Sequence, residues 1–92
     1  MKNTYAIDFD ETLNLENKYF KPRKELIYFL NNPEPKRFYI VTARKGTESN
    51  IDYIKEFCDE YELTPEDIYF TNQKLKGSLL KDLNVKYFID DN

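Results

Sequence analysis

Short apolar runs alternate with amphipathic stretches along this chain, and that alternation predicts its elements. Tyr5-Ala6-Ile7-Asp8-Phe9 is brief, apolar and followed by polar residues, the pattern of a buried strand ending near Asp8. Pro22 suits the first turn of a helix running to Leu30, with Leu26, Phe29 and Leu30 on one face. Asn31-Asn32-Pro33 and Pro35 stop that helix, and Arg37-Phe38-Tyr39-Ile40-Val41 reads as a second strand. Thr47, with Asn50 three positions on, gives a cap signal; Ile51, Ile54, Phe57, Cys58 and Tyr61 then recur at helical spacing. Thr64-Pro65 reads as the start of a single turn, and Ile68-Tyr69-Phe70 as a third strand. Ser78 to Leu83 follows as a short helix, and Val85 to Ile89 as a fourth strand.

Strands alternating with helices predict parallel strands joined by right-handed crossovers, hence an α/β layered fold. No repeat, linker or low-complexity tract divides the chain, so residues 1–92 read as one domain with a small core.

Composition removes several function classes. With 40% hydrophobic and 34% charged residues, the chain reads as soluble and globular rather than disordered. A net charge of -3 gives no support for non-specific nucleic-acid binding. The absence of histidine excludes Ser-His-Asp, Cys-His and His-ligated zinc chemistry together. Cys58 is the single cysteine, so no internal disulfide forms; beside Phe57 in a helical pattern it reads as a core residue. The apolar runs are too short for a membrane span, so no membrane partner is expected and the expected location is cytoplasmic.

Once the strands are placed, the chemically capable residues fall at their carboxyl ends. Asp8 and Asp10 follow the first strand, Thr42 the second, and Asp90 and Asp91 the fourth, while Lys76 precedes the last helix. Ligands of open α/β sheets bind outside those ends, so these side chains are expected to converge on one crevice. Three or four carboxylates there repel one another unless a hard cation intervenes, and an oxygen-only set suits magnesium, Mg2+. A lysine and a hydroxyl beside them suit an anionic substrate, and the whole describes phosphoryl transfer. Each residue alone has a plainer reading, as a cap, a turn or a solvated charge. The weight lies in four such signals, in order, at strand ends.

In this arrangement the chain resembles the haloacid dehalogenase superfamily. Asp8-Phe9-Asp10-Glu11-Thr12-Leu13 resembles its first motif, D-x-D-x-T, and Ile40-Val41-Thr42-Ala43-Arg44 its second. Lys76-Gly77 resembles the third, although Lys74 is a competing choice, and Phe88-Ile89-Asp90-Asp91-Asn92 the fourth. The resemblance implies a three-layer Rossmann-like core with a short parallel sheet in strand order 3-2-1-4, flanked by helices. It implies that Asp8 is a nucleophile forming an aspartyl-phosphate and that Asp10 is the general acid and base. It further implies Mg2+ held by Asp8, the Asp10 carbonyl and Asp91, with Asp90 binding through water or holding Lys76. Thr12, Thr42, Ala43, Arg44 and Lys76 are the residues expected around the substrate phosphate. Glu11 stands where many members have glycine.

The expected activity is therefore that of a magnesium-dependent phosphatase acting on a phosphate monoester. The gaps between the motifs leave no room for an inserted cap domain, so the crevice is expected to be open. An open crevice suits a bulky phosphorylated substrate: a nucleotide, a nucleic-acid end, a phosphoprotein or a phosphosugar. Tyr19 and Phe20 are candidates to pack on such a substrate or to join the core. The sequence ends directly after the fourth motif, where members usually continue, so either the core is minimal or a partner covers that edge, a homo-oligomer among the options. Two rivals stand beside this reading. One is a receiver-type phosphoacceptor domain, whose motif order differs from the order here; the other is a silent binding or regulatory module of the same fold.

Overall fold

The structure, a computed structural model, describes residues 4–15, 21–72 and 77–90. Along the chain run β1 (Thr4–Asp8), the two-residue strands β2 (Asn14–Leu15) and β3 (Lys21–Pro22), and α1 (Lys24–Asn31). Then follow β4 (Arg37–Thr42), α2 (Glu48–Glu60), β5 (Asp67–Phe70), α3 (Gly77–Asp82) and β6 (Tyr87–Ile89). β1, β4, β5 and β6 form one parallel sheet in the order β5-β4-β1-β6, and β2 pairs antiparallel with β3 beside it. The protein is thus a small α/β domain with a four-stranded parallel sheet and helices.

Register decides which residues share a face. Tyr5 pairs with Phe38 and Tyr87, Ile7 with Ile40 and Ile89, and Ile40 with Ile68. Side chains alternate along a strand, so these residues, with Phe9, Thr42 and Phe70, line one side of the sheet. Both long helices pack there. Phe29 of α1 meets the Tyr5 ring edge-on at 5.5 Å, and Phe57 of α2 meets Phe9 edge-on at 5.1 Å. Leu30, Ile54, Phe57, Cys58 and Leu63 complete a core in which Ile7, Phe9, Leu13, Phe38 and Ile40 are also buried. Each fully buried side chain of this size stabilises the fold by about 1.5–3 kcal/mol relative to exposure.

The helices form where the periodicity indicates, and their ends have identifiable causes. The Thr47 hydroxyl accepts from the Asn50 amide at 3.3 Å and caps α2. Glu62, at φ 57°, turns the chain out of α2 while the Leu63 amide donates back to the Cys58 carbonyl at 2.8 Å. Three sequence expectations need correction. Pro22 lies in β3 rather than in the first helical turn, because the Arg23 amide is drawn to the Leu13 carbonyl at 2.9 Å and α1 starts at Lys24. Thr64-Pro65 starts no turn: the Glu66 amide donates to the Phe38 carbonyl at 2.7 Å and pulls the segment extended into β5. Finally, β6 begins two residues later than expected, since the Val85 amide still bonds the Leu80 carbonyl. Among the described residues no helix is long and apolar enough to cross a membrane.

Candidate functional site

Beyond β1 the chain winds tightly around one carbonyl. The amides of Leu13 and Asn14 both donate to the Phe9 carbonyl, at 3.1 and 2.9 Å, and the Glu11 amide donates to the Asn14 carbonyl at 2.8 Å. The Phe9 ring, buried against Tyr53 and Phe57, anchors this loop to α2. From the outside, Arg23 donates through Nε to the Thr12 carbonyl at 2.7 Å. Glu11 takes φ 62°, a left-handed conformation that L-residues adopt at a cost of about 1–2 kcal/mol. The position where many members of the resembled family have glycine is therefore one where the backbone favours glycine.

This loop places Asp8, Asp10 and Thr12. Asp8 is half-buried at the end of β1, and its Oδ2 accepts from the buried Thr12 hydroxyl at 3.4 Å. Asp10 faces the end of β4, where its carboxylate is forked by Arg44: Nη2 donates to Oδ1 at 2.6 Å and Nε to Oδ2 at 2.9 Å. Two parallel charge-assisted bonds fix the carboxylate's plane as well as its position. Thr42 is fully buried; its hydroxyl lies 3.5 Å from Asp10 Oδ2 and accepts the Arg44 amide at 3.2 Å. Ala43 is half-buried between them in sequence.

Arg44 is itself held on several sides. Its Nη1 donates to Asn50 Oδ1 at 3.2 Å, and its guanidinium lies 4.9 Å from the Tyr53 ring centroid and 5.5 Å from that of Phe9. Asn50 in turn donates from Nδ2 to the Lys45 carbonyl at 3.0 Å. The first turn of α2 thus fixes the guanidinium, and the guanidinium fixes Asp10.

On the other side of β1, the ladder pairs Ile7 with Ile89, so the next residues, Asp8 and Asp90, leave adjacent strands in step. Asp90 is half-buried there. Lys76 and its competitor Lys74, Asp91, Tyr19 and Phe20 lie outside the described residues. Among the described residues no group of three or more Asp, Glu, Cys or His is gathered closely enough to hold a metal ion. The donors that do stand at the strand ends are all oxygens, and the one cysteine is removed from them chemically. Burial, and then the neighbouring charge of Asp59, pushes the Cys58 thiol up to about 12, so it stays protonated and unreactive at neutral pH.

Four residues that build this site were not read as site residues in the sequence: Asn14, Arg23, Asn50 and Tyr53. Arg23 carried a signal, because a cation at a helix N-terminus opposes the helix dipole and so answers some other demand. Asn14 carried another, as a polar residue between Leu13 and Leu15. It is 1% exposed; its Nδ2 donates to the Tyr53 hydroxyl at 2.9 Å, while its Oδ1 is buried with no partner. Such an orphan acceptor costs about 1–3 kcal/mol. Asn50 was read only as part of the cap, and Tyr53, off the recurring apolar positions, gave no signal. No protein-family model, curated protein or solved structure matches the chain.

Proposed function

We propose that this chain is a magnesium-dependent phosphohydrolase of the haloacid dehalogenase type, acting on phosphate monoesters in an open crevice. The observation that carries the reading is the meeting of Asp8, Asp10, Thr12 and Thr42 at the carboxyl ends of β1 and β4. Two further features support it. Counting only the strands of the main sheet, the order β5-β4-β1-β6 is third, second, first, fourth, the order the resembled core has. Two successive crossovers step one way and the third returns across the sheet, so right-handedness assigns α3 to the face opposite α1 and α2, as in a three-layer core.

In this reading an oxygen of Asp8 attacks phosphorus and the ester oxygen departs, taking a proton from Asp10. Water then attacks the phosphorus of the aspartyl-phosphate, Asp10 takes its proton, the bond from phosphorus to Asp8 breaks, and the Asp8 carboxylate is regenerated as inorganic phosphate leaves. Thr42 and Lys76 hold the phosphoryl oxygens, and Thr12 orients Asp8. Asp8, the Asp10 carbonyl, Asp91 and Asp90 are the residues that would hold Mg2+, an ion that takes oxygen ligands. That ion would supply charge neutralisation for an anionic nucleophile approaching an anionic substrate. Arg44 orients Asp10 toward the leaving group, and an arriving phosphate competes for the same guanidinium.

The test is release of p-nitrophenol from p-nitrophenyl phosphate by the full chain, with magnesium and with EDTA. Asp8→Asn is expected to lower the magnesium-dependent rate by about three orders of magnitude or more with its circular dichroism unchanged. Wild-type rates in Asp8→Asn would remove the nucleophile and the proposal with it. One observation favours a second reading, a phosphate-binding module without turnover: both Asp10 oxygens accept from Arg44, the opposite of a proton donor at rest. Beryllofluoride, a mimic of the aspartyl-phosphate, separates the two. A catalytic site binds it at Asp8 with magnesium and also hydrolyses ester; a silent module gives no hydrolysis.

A further inference from the structure

The parallel sheet has two outer strands, β5 and β6, and they differ in charge. Glu66 precedes β5 and Asp67 opens it, both acidic and exposed, while the uncharged Thr71 and Asn72 follow it. Charges of one sign on an outer strand discourage a further strand from pairing with it. β6 is instead flanked by one charge of each sign, Lys86 before it and Asp90 after it. Between them Tyr87 and Phe88 are exposed. The Tyr87 ring stacks on Tyr5 at 5.3 Å, and the exposed Phe29 meets Tyr5 edge-on, so an aromatic strip runs from α1 to this edge. β1 pairs with one side of β6, and the other side faces no strand among the described residues.

We propose that β6 pairs antiparallel with β6 of a second copy of this chain, about a two-fold axis through Phe88. Residues opposed across an antiparallel pair share a face of the sheet, so the axis passes through a residue rather than between two. With Phe88 at the centre, Tyr87 opposes Ile89 of the second copy, Phe88 opposes Phe88, and Lys86 opposes Asp90. Every opposed pair is then apolar or of opposite charge, and the symmetry forms the Lys86–Asp90 contact twice. Centred on Tyr87, the same strands set Lys86 against Phe88, and the charges find no match. The two four-stranded sheets join into one, and the assembly closes at two copies, whereas β6 against β5 would grow without end. A strand of three residues makes a small contact, so the dimer is reversible, with Kd on the order of micromolar. The pairing also delivers the second copy's Lys86 to Asp90, which leaves the sheet in step with Asp8. Association needs no hydrolysis at Asp8 and is read without it.

The experiment is sedimentation equilibrium of the full chain in EDTA, from about 5 µM to about 500 µM. The mass is expected to rise from that of one chain toward that of two. Lys86→Glu and Asp90→Lys each set like charges against one another, and each is expected to weaken association about tenfold or more. Mixed in equal amounts, the two variants are expected to recover it, because both opposed pairs are again of opposite sign. Hydrogen exchange reads the place: amides of β6 gain protection as concentration rises, and those of β5 do not. Four results overturn the proposal: a chain that stays monomeric throughout, association indifferent to both substitutions, folded variants that do not recover on mixing, or protection at β5 or a helix instead of β6. If Asp90→Lys does not fold, Lys86→Glu and exchange in the parent chain decide.

Discussion

On the side of the sheet where β1 meets β4, Ile7, Phe9, Phe38, Ile40 and Thr42 are at most 1% exposed, and two helices cover them. At the other edge, β6 is three residues long, Tyr87 and Phe88 are 44% and 36% exposed, and α3 contributes no buried residue. The same ladder geometry serves both halves, yet only one is packed. Packing, not hydrogen bonding, therefore separates the rigid part of the site from the thin part. Asp8, Asp10, Thr42 and Arg44 belong to the first, and Asp90 to the second. The preorganised half holds Asp8 and Asp10, and the half that carries Asp90 has little core beneath it.

The sharpest way to break this comparison is to truncate one residue in each half. Ile40→Ala removes a fully buried side chain and is expected to cost about 2–5 kcal/mol in urea unfolding. Phe88→Ala, half-exposed on the edge strand, is expected to cost less than about 1 kcal/mol. Equal losses would mean that the β6 edge is as well packed as the centre, and the distinction would fall.

Arg44 sharpens the comparison at the chemical level, since its fork on Asp10 is the most elaborate contact of the packed half. In Arg44→Met, ester hydrolysis is expected to fall about 10–100-fold in kcat because Asp10 loses its orientation, and KM is expected to rise because the guanidinium no longer meets the phosphate. Arg44→Lys is expected to recover little, an ammonium being unable to reproduce the two-pronged contact. A rate that rises in Arg44→Met would show instead that the guanidinium restrains Asp10.

Cys58 probes the same core without touching the site. Its thiol, pushed up to about 12 by burial, is expected to resist iodoacetamide at mildly alkaline pH in the native chain and to react once urea unfolds it. The sign for stability follows. A thiol raised above its unfolded value favours the fold fully below the ordinary thiol range, and that contribution is lost as pH climbs from there toward about 12. Rapid alkylation of the native chain would show that α2 opens locally.

What the sequence revealed and what it hid follow the same division. The α/β alternation was legible because β1, β4 and α2 are buried on one side, and burial writes periodicity into Ile7, Ile40, Ile54 and Phe57. Asp8, Asp10 and Thr42 were legible because the topology delivers strand ends to one rim. The β2–β3 ribbon was not, since two-residue strands bury too little to leave a pattern, and Pro22 reads equally well as a helix start. Nor was the fate of Arg44. A basic residue after the second motif is compatible with solvent, substrate or Asp10, and only the approach of the first loop to α2 decides among them.

The smallest expected effect concerns Glu11, where the packed half carries local strain. At φ 62° an L-residue costs about 1–2 kcal/mol. Glycine relieves that cost but loses about 0.5–1 kcal/mol through the freedom of its unfolded chain. Glu11→Gly is therefore expected to gain up to about 1 kcal/mol over the parent, while Glu11→Ala, which keeps the strain, gains nothing. Urea midpoints of the three proteins check the order. If alanine and glycine are equal, the loop does not hold its left-handed turn in solution, and the rigidity assigned to Asp10 loses its backbone support. If glycine stabilises the fold but slows hydrolysis, the strained turn serves the position of Asp10 rather than the stability of the chain.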